Sequence, residues 1–202
     1  MARQERQRLT ATQRRAEIVE AALEEFATHG FSGTRTRSIA SRAGVSETLV
    51  FQHFRDKESL YGAALEHLFG GHPVLPDVAA AMARDDDEAV FGHLAGHVLE
   101  HTDNDPRIIR LALFSALEGR SPDRDDGGGH PVDLLRAYIE RRVAAGAFRP
   151  VDPWATALLF VEAVYMHAAD RQVPISVAGA ADIARQEAAR LLADVFARGL
   201  RP

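Results

Sequence analysis

From Thr10 to Arg198 apolar side chains return at every third or fourth position, and no alternating run of Val, Ile and Thr stands between turn signals. That spacing is the period of a helix with one face toward a core, and it leaves no segment from which to build a sheet. The expected fold class is all-α, with about nine or ten helices. Apolar residues make up 46% of the 202-residue chain, enough for a real core in one large or two small domains.

Start and stop signals divide the first third finely. Thr10 with Gln13 reads as a capping box for a first helix, which buries Ile18, Ala22, Leu23 and Phe26 and ends at Gly30, with Phe31 folding back onto it. Thr34 is expected to cap a second helix through Ala43. Gly44 then turns the chain, Ser46 caps a third helix over residues 47–53, and Asp56 caps a fourth that runs to about Leu68. "GGHPVLPD" interrupts the pattern there. Further helices are expected near residues 88–102, 106–119, 132–145, 153–171 and 182–198, and residues 121–130 read as a solvated loop.

The third helix is barely two turns long. Two short helices joined by a tight turn, the second opening with polar side chains, form a helix-turn-helix DNA reader, whose recognition helix needs only its first turns in the major groove. On that helix Val50 and Phe54 face inward, which leaves Glu47, Thr48, Gln52 and His53 toward solvent or DNA. Gln52 can pair with adenine, Glu47 can accept from cytosine, and Thr48 or Leu49 can touch a thymine methyl. Glu47 has an equal alternative as a surface carboxylate at the positive end of the helix dipole.

The stretch "FATHGFSGTRTRSIASRAGVSETLVFQHFRDKESL" resembles the DNA-binding region of the TetR family of transcriptional regulators. Its marks are Gly30-Phe31, Ile39-Ala40, Ala43 to Ser46, Phe51 to Phe54 and Asp56-Lys57-Glu58, and the likeness spans roughly residues 18–68. The resemblance implies phosphate contacts from Thr36, Arg37, Phe51, His53 and Lys57, and base contacts from Glu47, Thr48, Leu49 and Gln52. Phe51 stands where the family usually has tyrosine, so only ring packing is left there. Thr36 replaces what is often an apolar residue, and either packs or meets DNA. The division expected is a helix-turn-helix domain over residues 1–56, with an N-terminal arm of residues 1–9, and a helical effector-binding and dimerisation domain over residues 57–202. Arg3, Arg6 and Arg8 make that arm either a DNA contact or a free tail.

Charge is distributed accordingly. Residues 1–70 carry 10 basic against 9 acidic residues and residues 71–202 carry 14 against 20, so the overall −5 belongs to the second part. Arg35, Arg37, Arg42, Arg55 and Lys57 face only Glu47 and Asp56 within residues 34–57, an excess that suits phosphate.

One reading head spans few base pairs, so a homodimer on a double-stranded, pseudo-palindromic operator is expected, with heads roughly 34 Å apart. Residues 153–169 are apolar around most of the helix, and with the preceding helix they suggest an intermolecular four-helix bundle through Leu135, Tyr138, Ile139, Trp154, Leu158 and Val161. The resemblance implies a small-molecule effector held between helices and repression relieved by its binding. His97, Arg110, Phe114, Glu162 and Tyr165, polar or aromatic groups in apolar helices, are the candidate lining. A DNA-binding factor with no effector stays open beside this.

Other classes fare less well. His93, His97 and His101 share one helical face with Glu100 beside them, which makes a zinc-dependent protein the alternative, though no His-Glu-x-x-His string accompanies them. Disulfides and thiolate chemistry are excluded because there is no cysteine. The chain has neither Gly-x-Ser-x-Gly nor a phosphate-binding glycine loop, so neither an enzyme nor a cofactor is expected. The N-terminus lacks an apolar stretch, and Glu162 and His167 break the longest apolar run. A cytoplasmic protein without membrane contact is the expectation.

Overall fold

The fold comes from a computed structural model that describes residues 10–69, 76–120, 131–173 and 182–202. The N-terminal arm of residues 1–9 and the loop of residues 121–130 lie outside these. Ten α-helices and no strand occur among the described residues: α1 (Ala11–Gly33), α2 (Thr36–Arg42), α3 (Glu47–His53), α4 (Lys57–Phe69), α5 (Pro76–Ala83), α6 (Asp87–Asn104), α7 (Arg107–Leu117), α8 (Pro131–Ala144), α9 (Pro153–Gln172) and α10 (Arg185–Gly199). No helix is long and apolar enough to cross a membrane. α5 is absent from the sequence expectation, because the Gly-Gly-His-Pro punctuation obscures a helix that Pro76 itself opens.

The chain divides into two compact units. The first holds α1 to α4 and Arg110 to Leu117 of α7, and the second holds α5, α6, the first residues of α7, and α8 to α10. Packing thus carries the first unit past residue 56, since Leu60, Tyr61 and Ala64 of α4 are buried and α4 packs along α1. Tyr61 stands edge-on to Phe26 at 4.9 Å and to Phe31 at 5.2 Å, an arrangement that adds to the burial of the rings.

Local caps fix most helix starts in the first unit. Gln13 N donates to Thr10 Oγ1 at 3.2 Å while Thr10 N donates to Gln13 Oε1 at 2.9 Å, the reciprocal box expected from sequence. At α4, Ser59 N donates to Asp56 Oδ1 at 2.7 Å. That bond and the neighbouring Arg55 hold the Asp56 carboxyl below its ordinary range.

The expectation for Thr34 is corrected. It closes α1 instead of opening α2. Its hydroxyl donates to the carbonyls of Glu25 and Gly30 at 3.0 and 2.7 Å, and α2 starts after Arg35 without any side-chain cap. The cause is a break in α1 at Gly30 (φ 69°, ψ 177°), which frees carbonyls that a buried hydroxyl then satisfies.

In the second unit α6 and α10 pack closely through small residues, so that a Cβ on Gly92 would sit 3.6 Å from that of Ala193. Phe91, Phe160 and Phe196 cluster with centroids 4.9 to 6.1 Å apart. α8 is tied to α6 by Asp87, which accepts from Tyr138 at 2.6 Å and from Arg142 at 2.8 Å.

Candidate nucleic-acid interface

α3 owes its shape to its ends and its anchors. Leu49 N donates to Ser46 Oγ at 3.2 Å, which satisfies one of the amides that a helix start leaves free. Gly44 (φ 65°) permits the turn before it, where Val45 N reaches back to Ala40 O at 3.0 Å in the pattern of a left-handed helix stop. Val50 and Phe54 are buried and fasten the helix to the core. Glu47, Thr48, Phe51 and Gln52 are exposed, while Leu49 and His53 are half-buried. Phe51, a large apolar ring, is 47% exposed.

Two further phosphate candidates, Thr36 and Arg37, open α2, the former half-buried and the latter exposed. An open depression beside them is lined by Glu25, Arg35, Arg37, Ser38, Ser41 and Arg42. Glu25 is buried there and paired with Arg42 Nε at 2.7 Å, so the remaining cations of the depression outweigh its one carboxylate. Arg35, Ser38 and Ser41 are additions to the sequence reading, which had noted Arg35 only for its charge. Their helical spacing with Arg42 was the available signal.

Lys57 sits differently from the other candidates. Its ammonium donates to Phe31 O at 2.9 Å and to Thr34 O at 3.1 Å and lies 4.2 Å from the Phe31 ring centroid. One of its three N–H groups is left for anything else.

Residues 18–64 match the family model for bacterial regulatory proteins of the tetR family. The transcriptional regulator RutR of Escherichia coli K12 is 31% identical over 73% of this chain and 70% of its own length. The chain belongs to the TetR family of transcriptional regulators. The repressor NicS of Pseudomonas putida is 26% identical over 95% of this chain and 94% of its own. Among solved structures, the hemolysin II regulator HlyIIR superposes with a TM-score of 0.66 at 17% identity, over 96% of this chain and 99% of that one. A TetR regulator from Haloarcula marismortui gives 0.65 at 18%, over 95% and 100%. These two speak for the TetR fold alone.

Several residues expected at a TetR dimer face lie elsewhere. Leu135, Tyr138, Ile139 and Val161 are buried within the chain's own core, and the Tyr138 hydroxyl is committed to Asp87. Trp154 and Leu158 remain half-buried. Among the described residues of α9 and α10, large apolar side chains stay open at Leu159 (60% exposed), Met166 (52%), Leu191 (42%) and Val195 (64%). In sequence α9 is apolar around most of its circumference, a pattern that does not separate its inner face from its outer one.

The effector candidates are scattered. Glu162 is exposed in the same row as Leu159 and Met166. Arg110 is exposed and Phe114 half-buried; both group with the first unit, where the Phe114 ring would lie 2.8 Å from a Cβ placed on Gly30. His97 and Tyr165 are half-buried in the second unit, and burial pushes the Tyr165 phenol up. His167, not among the candidates, has its Nε2 buried without a hydrogen-bond partner, and burial followed by the nearby Arg171 lowers its pKa.

The zinc alternative is not supported. Among the described residues no three His, Cys, Asp or Glu side chains gather as a metal site. His93 points to solvent, while His97 and His101 stack ring on ring at 6.0 Å, an arrangement that places two rings face to face and does not converge their nitrogens on one point.

Proposed function

We propose that this TetR protein is a homodimeric, non-catalytic repressor that acts in the cytoplasm on a pseudo-palindromic DNA operator and is released by a small molecule. The observation that carries this is α3: capped by Ser46, anchored by Val50 and Phe54, and presenting Glu47, Thr48, Phe51 and Gln52 outward. Gln52 reads adenine, Thr48 and Leu49 meet thymine methyls, and Glu47 accepts from cytosine. Thr36, Arg37, His53 and the third N–H of Lys57 take phosphates, Phe51 packs on the backbone, and the depression beside Arg37 adds Arg35 and the two serines. In this division residues 1–56, joined by Lys57 at the boundary, carry the DNA contacts, and the rest of residues 57–202 carry the effector and dimer functions.

The second copy docks on the exposed apolar rows of α9 and α10, flanked by Trp154 and Leu158, and burying those rows supplies the association energy. The effector is held among polar and aromatic groups of the second unit, for which His97 and Tyr165 are the candidates. It lowers DNA affinity by preferring a conformation whose heads do not match the operator spacing. NicS, named a repressor, supports that sign of regulation.

Selection of bound fragments from random DNA tests the reading. An enriched inverted repeat with half-sites about 10 base pairs apart, or a multiple of that, is expected. Enrichment of no sequence, or of a single unrepeated site, would overturn it.

A further inference from the structure

The corner between α1 and α2, Gly30 to Thr34, has few local bonds of its own. α1, α3 and α4 each start on a side-chain cap within three residues, from Thr10, Ser46 and Asp56. α2 has none. The segment leading into it is held from far along the chain. Phe31 N and Ser32 N, the free donors after the break at Gly30, both donate to the carboxylate of Glu118, at 3.0 and 2.9 Å across 87 and 86 residues. Phe31 O and Thr34 O take the Lys57 ammonium. Two peptide donors of the corner thus go to an anion after α7 and two of its acceptors to a cation on α4.

Sterics make the seat specific. Gly30 adopts a backbone conformation that is nearly restricted to glycine. A Cβ there would also lie 2.8 Å from Glu118 Oε1 and from Phe114 Cδ1. Arg120 covers the Phe31 ring at 3.5 Å, and the Tyr61 and Ser115 hydroxyls meet at 3.1 Å, so α4 and the end of α7 are themselves joined beside the corner. Glu118 follows directly on α7, whose first residues belong to the second compact unit.

We propose that Glu118 is a positioning residue for DNA recognition: its carboxylate, seated on the amides of Phe31 and Ser32, fixes the pose of α2 and α3 and links that pose to α7. This rests on the DNA-reading function proposed above. Charged acceptors make stronger hydrogen bonds than neutral ones, so Glu118→Gln weakens the seat and Glu118→Ala removes it.

The test measures amide exchange at Phe31 and Ser32 by NMR in the full-length protein, together with affinity for the selected operator and for random DNA. Glu118→Ala should speed exchange at both amides and lower operator affinity by about tenfold or more, the scale of losing bonds to a charged group, while random-DNA affinity changes by less than about twofold, because phosphate contacts dominate it. Glu118→Gln should fall between wild type and Ala in both readings. Unchanged exchange with unchanged operator affinity would overturn the proposal. So would parallel loss of operator and random DNA with a collapsed melting transition in both variants, which marks a scaffold role only. If wild type preferred no sequence, the regulator reading would fall, and the exchange rates would still decide whether Glu118 holds the corner.

Discussion

Both compact units cap backbone with side chains and pair charges, yet they leave different surfaces over. In the first, side chains such as Thr10, Thr34, Asp56, Lys57 and Glu118 bond to backbone and fix corners, and the row on α3 is left without protein partners. In the second, charged groups pair with one another, as in Arg141 to Asp85 at 2.6 Å and Arg142 to Asp87 at 2.8 Å, and the surface left over is apolar, on α9 and α10. One surplus suits base edges and phosphates, and the other suits protein. Polar groups used as backbone caps make a small unit rigid enough to present a two-turn helix; paired charges and an apolar exterior make a larger one ready to associate.

The largest way to break this comparison is to empty each core in turn. Phe26→Ala in the first unit and Phe160→Ala in the second should each cost about 3–5 kcal/mol. Calorimetry with sedimentation should show DNA binding lost but the dimer kept for Phe26→Ala. Equal loss of both properties in that variant would mean that the units do not work separately. A smaller effect is expected at the association surface, where Leu159→Glu combined with Leu191→Glu should weaken the dimer by about 2 kcal/mol or more, the size of a buried hot spot. A sedimentation profile unchanged at micromolar protein would remove α9 and α10 from the interface.

Gly30→Ala probes the corner and should destabilise the first unit by about 1–3 kcal/mol from backbone strain alone, read as an earlier melting transition. Lys57→Met sharpens the division of labour within the first unit. Its salt dependence of operator binding should flatten by about one in slope if the third N–H meets a phosphate; a parallel line at lower affinity would leave Lys57 holding only the corner. The smallest effect concerns acid. The Asp56 carboxyl is depressed by the Ser59 amide and by Arg55, so its contribution is present above the ordinary carboxylate range and fades as pH falls through its lowered value. Asp56→Asn should therefore lose stability at neutral pH and converge with wild type in acid. Parallel pH profiles would show that the cap does not titrate.

Much of the first unit was legible because its signals are local. Thr10 with Gln13, Ser46 and Asp56 announce helix starts within three residues, and Val50 with Phe54 separates the inner from the outer side of α3. Thr34 misled because its hydroxyl answers a break four residues upstream, which only the folded chain reveals. The corner itself was invisible for the same reason: Glu118 lies 86 residues from Ser32. In the second unit the helices were legible by period, apart from α5, but their faces were not. α8 and α9 are apolar enough to hide which side meets the core, so Leu135, Tyr138, Ile139 and Val161 were assigned to a partner and Leu159 and Met166 were not. Such a choice depends on which helices pack where, and periodicity carries no information on that.

The account depends most on α3 reading bases through its outward row. Selecting random DNA with Gln52→Ala beside wild type tests it most directly. The same inverted repeat should return with preference relaxed at one symmetric position per half-site, at a cost of about 1–3 kcal/mol for that contact. An identical base preference at every position, with unchanged affinity, would contradict it.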